Sequence, residues 1–103
     1  MYGELTTPRR LFDALQLTRE DTFVDLGSGR AQVVLAAAHL EDESAPDVSV
    51  GIELVQTRHE VAEKALHRCD DAVQARTRLI CGDALAHDVS SCTKVFLCNA
   101  TWG

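Results

Sequence analysis

Apolar residues in this chain fall into two alternating patterns. Short apolar bursts are bounded by turn residues, and between them lie stretches with helical spacing. Phe23, Val24 and Leu26 form the first burst and predict a buried strand. Val48-Ser49-Val50-Gly51-Ile52, ending at Glu53, predicts a second. Residues 76–81 predict a third and residues 94–98 a fourth. Leu11, Phe12 and Leu15 recur at helical spacing after Thr7-Pro8, an N-cap followed by a first-turn proline, and predict a helix over 8–16. A second helix is predicted over 31–40, with Val33, Val34, Ala37 and Leu40 on its packing face. The longest is predicted from Val55 to Cys69, with Ala62, Ala65, Leu66 and Cys69 on one face and Arg58 among the polar residues turned mostly away. Residues 41–47 read as an acidic exposed loop, 70–75 as a loop, and 84–93 show no period. Strands alternating with helices imply an α/β fold with a parallel sheet and right-handed crossovers.

The segment after the first strand concentrates the chemistry. Asp25-Leu26-Gly27-Ser28-Gly29 turns sharply, and from Ala31 the chain can continue as a helix whose N-terminal N–H groups face the turn. Gly27-x-Gly29-x-Ala31 is a shortened relative of the dinucleotide fingerprint and is weak alone. Asp25 changes its meaning. A carboxylate here repels the pyrophosphate of NAD or FAD and attracts an ammonium. S-adenosylmethionine fits, because its methionine end carries an ammonium for Asp25 and a carboxylate for the helix N-terminus. The alternative is an Asp that caps the turn.

The other strand ends carry Glu53, Asp83 and Asn99. Ligands of open parallel sheets bind at those ends, so the four residues are expected to converge on one cleft. Glu53, 24 residues after Gly29, is placed to accept from ribose hydroxyls or is a surface Glu. Asp83 is placed to accept from the adenine amine or belongs to a Gly-Asp turn. Asn99 is the candidate near the reacting methyl group, and Gln32 the candidate at the methionine end, or else a solvated helix residue. Trp102 either walls a channel or fills a core.

Composition narrows the partners. With 103 residues the chain is one domain at most, and 46% hydrophobic residues suffice for a core. Sixteen acidic against ten basic residues give a net charge of −6, which argues against a nucleic-acid surface. No signal peptide and no membrane-length apolar run are visible. Cys69, Cys81, Cys92 and Cys98 lack C-x-x-C spacing and the four histidines are scattered, so no metal site is expected and reduced thiols are the simpler reading.

Tyr2-Gly3-Glu4, the Phe23–Gly29 segment with Gln32-Val33-Val34-Leu35, Gly51-Ile52-Glu53, Gly82-Asp83 and Val95 to Asn99 together resemble the non-SET histone-lysine methyltransferases of the disruptor-of-telomeric-silencing class. The Asp-Leu-Gly-Ser-Gly motif is shared by many class I methyltransferases. Tyr-Gly-Glu upstream and Gln-Val-Val-Leu downstream make the resemblance specific, and it covers essentially the whole chain. It implies a Rossmann-like class I methyltransferase fold with helices on both faces of the sheet, of which the first four strands are expected here. Residues 1–20 would form a lid loop and short helix, and 21–103 the first half of the sheet.

The resemblance also implies S-adenosylmethionine as cofactor, S-adenosylhomocysteine as product, a histone lysine in the nucleosome core as substrate, and a nuclear location. Tyr2, Glu4, Asp25, Gly27, Ser28, Gly29 and Gln32 would hold the methionine part. Glu53 would hold the ribose, Asp83 and Ala84 would border the adenine, and Asn99 would line the methyl-transfer site. The chain departs from the family pattern at Ala31, usually glycine, at Ala84, usually aromatic, and at Asn99-Ala100, usually paired asparagines. The family's basic nucleosome-binding extension is not in this sequence. The readings left open are a cofactor-binding module without catalysis and a class I methyltransferase with another substrate.

Overall fold

Four parallel strands form one sheet in the order β3-β2-β1-β4. In chain order the elements are α1 (Pro8–Leu15), β1 (Thr22–Leu26), α2 (Gln32–Ala38), β2 (Val48–Glu53), α3 (Gln56–His67), α4 (Asp71–Arg76), β3 (Thr77–Cys81), a 3-10 turn (Ala84–Ala86) and β4 (Lys94–Leu97). The computed structural model describes residues 8–29, 31–40 and 44–97. All four expected strands are present, and the expected helices over 8–16, 31–40 and 55–69 differ from those observed by one or two residues at their ends.

The segment 70–75, expected as a loop, is helical from Asp71. Asp70 starts that helix: its side chain accepts from the Val73 backbone N–H at 3.0 Å. A helix of six residues with one buried side chain, Val73, is too short to show a period in sequence.

β1 is flanked on both sides, and three of its five residues are buried. Asp25 lies opposite Gly51 of β2 and Phe96 of β4. The chain leaves β1 toward β2 on one side and reaches β4 on the other, so the strand order reverses at β1, whose carboxyl end is where ligands of such sheets bind.

The core has two parts joined by α2. Leu17, Phe23 and Ala37 pack with Phe12, Leu15, Val33, Leu40 and Phe96. Ala31, Val34 and Ala62 pack with Leu35 and Leu79. Ser49, wholly buried, donates its hydroxyl to the Val34 carbonyl at 2.7 Å and ties α2 to β2.

Candidate functional site at the strand ends

The turn after β1 is built from left-handed residues. Gly27 has φ 84° and Gly29 φ 58°, conformations that glycine adopts without steric cost. The Gly27 and Ser28 N–H groups both donate to the Ile52 carbonyl, at 2.8 and 3.0 Å, which pins the turn across the end of β2. Gly51 permits that closeness: a Cβ there would lie 2.8 Å from Ser28 Oγ and 3.0 Å from a Val34 methyl. Ala31, where the family pattern has glycine, also sits in the left-handed region, at φ 64°. An L-residue pays about 1–2 kcal/mol for that conformation. The buried methyl, packed beside Val34 and Ala62, offsets part of it.

Glu53 binds this turn to the next helix. Its Oε1 accepts from the Gly29 N–H at 2.6 Å and its Oε2 from the Val55 N–H at 2.9 Å. The residue is buried, and each carboxylate oxygen keeps a lone pair for a further donor. The backbone carbonyl of Glu53 receives the Gly82 N–H at 2.9 Å, so the end of β3 is held to it as well.

Asp25 is different. It is buried, and its Oδ1 is the one buried side-chain polar atom without a hydrogen-bond partner among the described residues. Burial, and then the negative charge of Glu53, push its carboxyl up to about 7. An acceptor left in this state costs about 1–3 kcal/mol, which a cationic donor would recover.

A cavity of about 250 Å³ opens at the ends of β1 and β2. Gly27, Ile52 and Glu53 line it from the strand ends, Leu54 and Val55 from the link into α3, Arg58 from its first turn, and Asp83 and Ala84 from the start of the 3-10 turn after β3. Asp83 is exposed and caps the 3-10 turn, its Oδ1 accepting from the Leu85 N–H at 2.9 Å. The structure thus brings Gly27, Glu53, Asp83 and Ala84 to one cavity. Asp25 lies two residues before its edge, and Ser28 and Gly29 shape the turn beside it. Gln32 is exposed at the first residue of α2 and does not line the cavity. Tyr2, Glu4, Asn99 and Trp102 lie outside the described residues.

Leu54, Val55 and Arg58 escaped the sequence reading as cavity residues. The available signal was their position: they directly follow the acid that ends a strand, where a helix begins beside the cleft. Among the described residues no group of three His, Cys, Asp or Glu side chains could hold a metal ion. No helix among them is long and apolar enough to cross a membrane.

The fold is that of class I methyltransferases. An RNA methyltransferase from Salinibacter ruber, solved with S-adenosyl-L-homocysteine, is 28% identical with a TM-score of 0.72; the match covers 87% of this chain and 55% of that one. A methyltransferase from Thiobacillus denitrificans, also solved with S-adenosyl-L-homocysteine, is 28% identical with a TM-score of 0.57, covering 78% of this chain and 30% of that one. The glycopeptide N-methyltransferase MtfA, complexed with sinefungin, shares the fold at 17% identity, with a TM-score of 0.73, covering 89% of this chain and 35% of that one. The chain therefore spans about half or less of the length of these structures. No curated protein matches it. The family described as histone methylation protein DOT1 matches residues 1–94, and the chain belongs to that family.

Proposed function

We propose that this chain is the cofactor-binding half of an S-adenosylmethionine-dependent methyltransferase that modifies a histone lysine. The observation that carries the reading is the buried Oδ1 of Asp25, without a partner among the described residues, at the foot of a glycine turn. An acceptor of this kind suits a ligand that brings an ammonium. The pyrophosphate of NAD or FAD would meet a carboxylate there and be repelled. When bound, S-adenosylmethionine supplies an electrophilic methyl group on a sulfonium.

The chain's own residues bind and orient. Asp25 accepts from the ligand's ammonium. Gly27, Ser28 and Gly29 let the backbone come close to its carboxylate. Glu53, already held by two backbone N–H groups, presents fixed lone pairs to the ribose hydroxyls. Asp83 and Ala84 border the adenine. Tyr2, Glu4, Gln32 and Asn99 complete the set by family resemblance, Asn99 nearest the methyl group. In-line transfer to a neutral lysine amine needs little acid–base chemistry, and alignment in a site closed to water can supply roughly 7–11 kcal/mol of barrier reduction.

The family match over residues 1–94 supports a histone as substrate, and with it a nuclear location. A second reading, RNA as substrate, draws on the 28% identity to the Salinibacter enzyme. The net charge of −6 weighs against it.

The test is calorimetric titration of the protein with S-adenosylhomocysteine, with NAD as control. Incubation with methyl-labelled S-adenosylmethionine and either nucleosomes or RNA follows. Selective binding of S-adenosylhomocysteine with label on a histone is expected. Binding of NAD instead overturns the cofactor reading, and label on RNA alone transfers the case to the second reading.

A further inference from the structure

The cavity at the strand ends has no aromatic wall among the described residues. Ala84 presents only a methyl group beside Asp83. Among the described residues, the one lining residue that carries a planar, delocalised cation is Arg58, in the first turn of α3.

Arg58 is exposed. Two carboxylates, Glu53 and Asp83, line the same cavity, yet the only ion pair among the described residues is His59 with Glu63. Arg58 makes no side-chain hydrogen bond to any described residue. Both neighbouring carboxylates are engaged elsewhere: Glu53 by the N–H groups of Gly29 and Val55, Asp83 by that of Leu85. A guanidinium in this position is weakly hydrated and favours the face of a π system. The wall around it is apolar, formed by Leu54 and Val55. A neutral, flat heterocycle is the ligand chemistry this combination suits, better than an anion, which Glu53 and Asp83 would repel.

We propose that Arg58 is a cofactor-binding residue that stacks its guanidinium on the adenine of S-adenosylmethionine, a role that an aromatic side chain would otherwise fill. The inference rests on the cofactor reading given above and adds to it a residue outside the motif positions that carry the family resemblance.

The experiment measures the dissociation constant of S-adenosylhomocysteine by calorimetry for the parent protein and for Arg58→Ala, Arg58→Lys and Arg58→Tyr. Arg58→Ala is expected to bind about 5- to 10-fold more weakly, the size of a partly exposed cation–π contact. Arg58→Lys, which keeps the charge and loses the plane, is expected to be nearly as weak. Arg58→Tyr, which restores a plane without charge, is expected to stay within about twofold of the parent. All three should melt with the parent, because Arg58 is exposed and makes no side-chain hydrogen bond or ion pair with a described residue.

Binding by Arg58→Ala within about twofold of the parent overturns the proposal. So does full affinity in Arg58→Lys, which would make charge alone sufficient, and so does an Arg58→Tyr variant as weak as the alanine one. A parent protein that does not bind S-adenosylhomocysteine removes the cofactor reading itself, which separates that failure from a failure of Arg58.

Discussion

The two ends of β1 carry the same residue type in opposite conditions. Asp21, just before the strand, has both oxygens engaged. Its Oδ2 accepts from the Thr18 N–H at 2.8 Å, and its Oδ1 accepts from the Thr93 hydroxyl at 2.8 Å. The Thr93 hydroxyl foremost, with the Thr18 backbone also donating, holds its carboxyl below the usual value of 3.8. Asp25, four residues on and also buried, has an oxygen with no partner among the described residues and a carboxyl raised to about 7. Burial alone therefore does not set the behaviour of these acids; the donors do. At the lower end the fold supplies donors and the carboxylate becomes a joint between β1 and β4. At the upper end no described residue donates to Oδ1, and that is the oxygen proposed for the ligand's ammonium.

The sharpest way to break this comparison is Asp25→Asn. Affinity for S-adenosylhomocysteine should fall about 100-fold or more, since a charged hydrogen bond to the ammonium is lost. Stability at about pH 8 should stay level or rise, because an ionised, unpartnered carboxylate is removed. The pH dependence follows from the sign of the shift. Between about pH 4 and about pH 7 the folded protein holds a proton on Asp25 that the unfolded chain has already lost. Stability contributed by this group therefore falls as pH rises through that window and levels off above it. Urea unfolding from about pH 4 to about pH 8 should show the slope in the parent and a flatter line in Asp25→Asn. Loss of stability in this variant at the upper end of that range would mean that Asp25 is a structural cap after all.

Asp21→Ala should do the reverse. It is expected to lower unfolding free energy by about 2 kcal/mol in urea, through unpaired Thr18 and Thr93 donors, and to leave S-adenosylhomocysteine affinity within about twofold. Its contribution in the parent is complete above about pH 4 and is lost as pH falls through the depressed folded value. The acid limb of the stability profile should therefore shrink in the variant. A drop in affinity comparable to that of Asp25→Asn would erase the distinction between the two ends.

The smallest effect is expected from Thr93→Val. It removes the hydroxyl that donates to Asp21 and accepts from the Thr22 N–H at 3.0 Å, and it keeps the shape. A cost of about 1 kcal/mol in urea unfolding is expected, with ligand affinity unchanged. If the effects of Asp21→Ala and Thr93→Val simply add in the double variant, the two residues do not act as one joint.

Much of the fold was legible in the chain. The apolar bursts at Phe23-Val24, Val48–Ile52, Leu79-Ile80 and Val95–Leu97 mark strands because each is too short and too β-branched or aromatic to compete as a helix. The order of acids at the strand ends was legible for the same reason, since alternation of strand and helix brings every second connection to one end of the sheet. The helix over Asp71–Arg76 was not, because a single turn and a half leaves no period to detect. Its N-cap, Asp70, was the only local signal.

For the site, residue types and spacing could nominate Asp25, Glu53 and Asp83 as one set, yet they could not separate their roles. Separation depends on what surrounds each side chain. β1 lies between β2 and β4, and the glycine turn folds over the end of β2, so Asp25 and Glu53 are enclosed. β3 is an edge strand of the described sheet, so Asp83 stays in solvent and caps a turn. Arg58 illustrates the same limit. On a helical wheel it belongs to the solvent side, and only the placement of the first turn of α3 over the end of β2 brings it to the cavity wall.

The sequence by itself determined the elements, the parallel α/β class, the glycine turn and the identity of the acids, because these follow from local sterics and hydrophobic period. Tertiary structure decided which acid is satisfied and which is not. That outcome depends on donors from residues 24 to 72 positions away, Gly29 for Glu53 and Thr93 for Asp21, and on the absence of one for Asp25 among the described residues. Hydrogen bonds act over about 3 Å in space, and distance along the chain carries no record of them.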